Sequence, residues 1–234
     1  MKSEFILEVK NLNVSFGKEK VIENLSFKVR NNEFISIIGP NGSGKSTLLK
    51  ALVGLVPYEG KIKWKNGLKI NYLPQSFSRE NFNLVPISVE EFFELKNVKR
   101  EEIKENLEKV GLNYEKVRNK NPAELSGGEF QRMLIAWTFV DNPDVVLLDE
   151  PTSGIDVGGE KTIYDLLYKY WKEEKKTIFL VTHEIEIVYK YSTNVLCLNK
   201  RCVTFGKPKE VLTKESLEKL YGMEISMHTH KKWI

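Results

Sequence analysis

The sequence predicts an α/β protein built on a parallel sheet, with antiparallel strands near its start and a helical insertion near its middle. Three observations carry this reading. Residues 34–38, 145–148 and 177–181 are short, almost wholly apolar runs, the pattern of strands covered on both faces. Helical spacing lies between them. Phe130, Met133, Leu134 and Trp137 fall at i, i+3, i+4 and i+7, and Ile163, Leu166, Leu167 and Tyr170 repeat that spacing. Residues 5–30 instead alternate, with Ile6, Leu7 and Val9, then Leu25, Phe27 and Val29. Strands buried on two faces and joined by helices need crossover connections, hence a parallel sheet.

The remaining elements follow in order. Residues 76–128 read as a mostly helical insertion. Ser88 precedes Val89-Glu90-Glu91, an S-x-x-E capping box that opens a short helix. A second helix starts near Lys99, with Ile103, Leu107 and Val110 inward and Gly111 as its stop. The charges over residues 100–108 are its solvated face. After Phe205-Gly206 the chain reads as short and polar, ending in a tail. The length of 234 residues suits one domain over 1–234. About 1–75 and 129–212 form the core with its antiparallel part, about 76–128 the helical subdomain, and about 213–234 the tail.

Composition excludes several classes. Apolar residues make up 41% and charged ones 29%, too apolar for a disordered chain. Mean hydropathy is −0.35, and no apolar run approaches the roughly 20 residues needed to span a bilayer. The first residues carry no apolar stretch, so no signal peptide is expected. Cys197 and Cys202 are the only cysteines, too few for a disulfide scaffold, which suits a reducing compartment. A net charge of +4 gives no ground for a nucleic-acid partner, and none is expected.

Chemistry concentrates at three places. Gly39-Pro40-Asn41-Gly42-Ser43-Gly44-Lys45-Ser46-Thr47 matches G-x-x-x-x-G-K-[ST], after a strand and before a helix carrying Leu48, Leu49 and Leu52. The glycines let backbone N–H groups close around phosphate oxygens, and the helix N-terminus favours negative charge. Lys45 is placed to reach the β- and γ-phosphates, and Ser46 to ligate Mg²⁺. The second apolar strand ends in Asp149-Glu150, at the sheet edge where open α/β folds bind ligands. Asp149 suits the Mg²⁺ shell, and Glu150 suits polarising a water for in-line attack on the γ-phosphate. Leu125-Ser126-Gly127-Gly128-Glu129 presents further N–H groups at another helix start. One nucleotide needs one cradle, so this second set is expected to close over the nucleotide of another copy of the chain.

In this order the motifs resemble those of the nucleotide-binding subunit of ABC transporters, over about residues 5–212. Gly39–Thr47 resembles the Walker A motif, Tyr72-Leu73-Pro74-Gln75 the Q-loop, Leu125–Glu129 the signature motif and Val145–Glu150 Walker B. Ser153-Gly154-Ile155-Asp156 resembles the D-loop, and Thr182-His183 the switch histidine. Phe16 sits where the family has an aromatic that stacks on adenine. The signature carries Glu129 where many members have Gln, and the D-loop reads Ser-Gly-Ile-Asp where Ser-Ala-Leu-Asp is frequent. Neither change removes a ligand.

The resemblance implies a P-loop NTPase core of RecA-like type with an N-terminal antiparallel β part and an inserted α-helical subdomain. It implies an ATPase using ATP and Mg²⁺, sandwiched head to tail in a dimer. Each site then takes Walker A from one chain and Ser126-Gly127-Gly128 from the other. Glu150 is implied as general base, and His183 as a γ-phosphate contact. Gln75 would contact Mg²⁺ and the attacking water, and Asp156 would act across the dimer. Separate transmembrane permease subunits, indirectly a substrate-binding protein, and a peripheral place on the cytoplasmic face of the membrane come with it.

One Walker A motif, and only 81 residues from Lys45 to Ser126, argue against coiled-coil DNA-repair and tandem translation-associated relatives. The stretch Val85-Pro86-Ile87-Ser88-Val89-Glu90-Glu91 and the ending Val195–Asn199, Phe205-Gly206 and Glu210–Thr213 resemble the zinc/manganese chelate-type importers. A divalent metal is therefore the expected cargo. A soluble ABC ATPase of iron–sulfur scaffold assembly is the alternative. His228 and His230 read as part of an exposed tail, and Cys197 as a buried small hydrophobe.

Overall fold

The computed structural model describes residues 5–153, 157–199 and 202–222. Among them, nine strands form two sheets. β1 (Phe5–Phe16), β2 (Glu19–Arg30) and β4 (Glu59–Trp64) make an antiparallel sheet in the order β2-β1-β4. β3 (Phe34–Ile38), β5 (Ile70–Leu73), β6 (Val145–Asp149), β7 (Thr177–Val181), β8 (Asn194–Asn199) and β9 (Cys202–Gly206) make the second, ordered β5-β6-β7-β3-β8-β9. It is parallel except for β9, which returns antiparallel to β8.

The apolar runs are continuous because each face of the large sheet meets a different layer. Ile35, Ile37, Val145, Leu147, Phe179 and Val181 pack with the antiparallel sheet and with α1 (Lys45–Leu52). The alternating partners Phe34, Val146, Leu148, Ile178 and Leu180 pack on the opposite side. There they meet α5 (Gly127–Phe139) and α6 (Val157–Glu174), which carry the helical spacing read from the sequence. Period-two alternation thus divides one strand between two cores.

The insertion contains α2 (Val89–Glu94), α3 (Arg100–Lys109) and α4 (Tyr114–Val117). Ser88 and Glu91 close the expected capping box: Ser88 N donates to Glu91 Oε2 at 2.7 Å and Glu91 N to Ser88 Oγ at 3.2 Å. Gly111 takes φ +74 just past α3, where a side chain would be strained. An aromatic cluster ties the insertion to α5. Phe92 stacks on Trp137 at 4.9 Å and meets Phe82 edge-on at 5.2 Å.

The expectation of a tail needs correction over residues 213–222. After α7 (Ile185–Tyr191), β8, β9 and α8 (Pro208–Val211), the chain forms α9 (Lys214–Tyr221), where the sequence reads only a tail. Leu217 and Leu220 are buried against Val188, Val195 and Cys197. Thr213 caps α9 by accepting from Ser216 N, and Gly222 ends it at φ +70. Two leucines in one turn are too short a pattern to register as helical periodicity, but they suffice to dock one. Leu217→Ala is expected to cost about 2–4 kcal/mol in a urea melt, as for a fully buried leucine. A loss near zero would mean that α9 does not pack on β8 in solution. His228 and His230 lie outside the described residues.

Candidate active site

Strand register assembles the site. Leu73 pairs with Leu148, Asp149 with Val181, and Ile37 also with Val181. Gln75, Glu150, His183 and Gly39 each follow within two residues of one of these positions. Four segments distant in sequence therefore leave the sheet side by side at its carboxyl edge.

A cleft of about 610 Å³ opens there, lined by Phe16, Val21, residues 41–47, Gln75, Glu150 and His183. The phosphate loop forms its floor. Gly42 and Gly44 take φ +74 and +98, with Gly44 as N-cap of α1. A Cβ on Gly39 would lie 2.0 Å from the Leu198 carbonyl, so only glycine fits there. Lys45 is buried and its Nζ donates to the Gly39 and Pro40 carbonyls at 3.0 and 3.1 Å. Burial lowers the pKa of its ammonium, while the charges of Glu150 and Asp149 push it back up. Ser43 Oγ is buried in the loop without a hydrogen-bond partner, an orphaned polar atom in a phosphate cradle. Phe16 is 50% exposed at the cleft wall.

The acidic pair divides by environment. Asp149 is buried: Ser46 Oγ donates to its Oδ1 at 3.1 Å and the Tyr72 hydroxyl to its Oδ2 at 3.3 Å. Burial raises its carboxyl pKa, and the Ser46 hydrogen bond works against that. The Ser46 and Asp149 oxygens are hard donors of the kind that could hold Mg²⁺, and Gln75 lines the same cleft as Ser46. Glu150 turns out into the cleft with φ +50, a left-handed backbone that costs a non-glycine residue about 1–3 kcal/mol. Each of its two oxygens has its own partner. Gln75 Nε2 donates to Oε2 at 2.8 Å, and His183 Nε2 lies 2.8 Å from Oε1.

The structure does not bring the second anion-binding segment into this cleft. Ser126 is the N-cap of α5 and accepts from Glu129 N, while Glu129 Oε2 accepts from Ser126 N at 2.9 Å. The Ser126 backbone N–H, and after it the Ser126 hydroxyl, hold the Glu129 carboxyl below its usual pKa. Gly127 faces a separate groove of about 200 Å³ with Gln75, Arg79 and Ser153. Arg79 donates to the Leu125 carbonyl at 2.9 Å, fixing the residue before Ser126. Asp156 lies outside the described residues.

Sequence reasoning missed Tyr72 as a partner of Asp149, and the capping role of Glu129 at the separate Ser126 helix start. Tyr72 was visible only as a motif letter; its bond to Asp149 needs the β5–β6 register. Glu129 repeats the S-x-x-E pattern of Ser88 and could have been read as a cap.

The family model described as ABC transporter matches residues 22–153, more than half of the chain. The chain belongs to the ABC transporter family. It is an ATPase and binds ATP. It is 36% identical over 222 residues to the zinc import ATP-binding protein ZnuC of Wigglesworthia glossinidia brevipalpis, covering 94% of each chain. A chain of a metal-chelate type ABC transporter in an inward-facing conformation superposes with a TM-score of 0.83 at 26% identity, covering 94% of this ATPase and 90% of that chain. CbiO1 of Clostridium perfringens, part of the ABC transporter complex cbiONQ, gives 0.76 at 29% identity, covering 93% and 94%. No helix among the described residues of this ABC ATPase is long and apolar enough to cross a membrane.

Proposed function

We propose that the chain powers import of a divalent metal, zinc or manganese, through separate membrane-spanning subunits. The observation that carries this is the alignment with a zinc import ATP-binding protein along 94% of both chains. That likeness favours import over the soluble assembly role. The arrangement of Lys45, Ser46, Gln75, Asp149, Glu150 and His183 around one phosphate loop supports hydrolysis as its motor.

In this reading Phe16 stacks on adenine, and Lys45 with the N–H groups of the loop holds the phosphates. Ser46, Asp149 and Gln75 would hold Mg²⁺, which would neutralise phosphate charge. Glu150 takes the proton of the attacking water once Gln75 or His183 releases one of its oxygens. Gln75 orients that water, and His183 contacts the γ-phosphate. Ser126, Gly127 and Gly128 of one copy close over the nucleotide of a second, with Asp156 assigned to the same interface. The subunit then sits peripherally on the cytoplasmic face, and a substrate-binding protein delivers the metal to the permease.

The test is affinity purification from detergent-solubilised native membranes, with mass spectrometry of the co-purifying chains. A multi-spanning protein in near-equal amount is expected. A strain lacking the chain is expected to stop growing at chelator levels that its parent tolerates, with growth restored by added zinc or manganese. Recovery of soluble partners alone would sink the import reading.

A further inference from the structure

Beneath the cleft, the Tyr164 hydroxyl of α6 joins the two segments that carry Glu150 and His183. Tyr164 is 2% exposed. Its oxygen lies 3.0 Å from Thr152 Oγ1 and 3.2 Å from Thr182 Oγ1, and its proton goes to Glu184 Oε1 at 2.7 Å. A carboxylate only accepts, so the phenol's single proton is committed to Glu184 and both threonine hydroxyls donate to its lone pairs. Glu184 N closes the ring by donating to Thr182 Oγ1 at 3.1 Å. Burial raises the phenol pKa well above its usual value, so the group keeps its proton.

Every partner adjoins the chemistry. Thr152 is two residues after Glu150, in the turn closed by Ser153 N donating to the Glu150 carbonyl at 3.1 Å. Thr182 and Glu184 flank His183. We propose that the Tyr164 hydroxyl is a positioning group for hydrolysis, pinning the Glu150 turn to the His183 segment so that carboxylate and imidazole meet at the sheet edge. This rests on the roles proposed for Glu150 and His183. Tyr164 touches neither of them and acts through Thr152, Thr182 and Glu184. A fully satisfied buried network of this kind holds its members in one geometry. It supports Glu150 in its positive-φ backbone, where local preference would not keep it.

The test is steady-state ATP hydrolysis by the full chain carrying Tyr164→Phe, scored per mole of nucleotide-binding protein. The expected result is a kcat lower by roughly tenfold or more, as for a misplaced catalytic group, with KM for ATP within about twofold. Thr152→Val is expected to behave like Tyr164→Phe, and Thr152→Ser, which keeps the hydroxyl, to recover most of the rate. Wild-type kcat in Tyr164→Phe, or kcat and KM worsening together, overturns the proposal. If Tyr164→Phe does not fold, equal rates for Thr152→Val and Thr152→Ser overturn it instead. Glu150→Gln is run alongside: undiminished turnover there would remove the underlying reading of the site, whatever Tyr164 does.

Discussion

Glu150→Gln is expected to lower ATP turnover by about 10²–10⁴-fold, the usual cost of losing a general base, while nucleotide affinity is retained. The side chain keeps its shape, and its oxygen still accepts from Gln75 Nε2, which now sits 2.8 Å from Glu150 Oε2. The new amide N–H₂ faces His183 Nε2, which can accept it in the tautomer protonated at Nδ1. Geometry therefore survives and proton acceptance does not. Single-turnover hydrolysis and equilibrium ATP binding separate the two, and gel filtration with ATP is expected to show an accumulated dimer. Turnover at the wild-type rate would leave Asp149 and His183 as the remaining candidates. Asp149 is the weaker of these, because it is buried and both its oxygens are occupied by Ser46 and Tyr72.

Lys45→Ala is expected to weaken ATP binding by about ten- to a hundredfold, the worth of a charge-assisted hydrogen bond to phosphate. The loop around Lys45 makes the effect specific. Its ammonium lies under the cradle, bonded to the Gly39 and Pro40 carbonyls, within reach of the cleft floor. Arginine is not a substitute, because a buried point-charge position does not admit a planar guanidinium. Calorimetric titration with ATP measures the change, and a melting curve without nucleotide shows whether the loop still folds. Unchanged affinity in a folded variant would mean that the phosphates are held elsewhere.

Much of this was legible in the chain. The three buried strands announced themselves because both faces are covered, which removes polar residues from 34–38, 145–148 and 177–181. The phosphate loop and the Ser88 box could be read because their partners lie within a few residues. The helix after Thr213 escaped notice for the opposite reason. Its buried face is two leucines wide, and what makes it a helix in the fold is the surface formed by Val188 and Val195.

Side-chain pattern alone marks the strands at 34–38, 145–148 and 177–181 and those within 5–30, the phosphate loop and acidic strand end, and the family that carries that order of motifs. Those features arise from side-chain spacing and backbone needs inside one segment. The contacts of Glu150 with Gln75 and His183, 75 and 33 residues away, come from the folded arrangement of strands. That arrangement also decided that Tyr72 would reach Asp149 and that Tyr164 would tie Thr152 to Thr182. Each of those contacts depends on the neighbouring order β5-β6-β7 and on its register, and a slip of one residue would turn Tyr72 away from Asp149 to the other face.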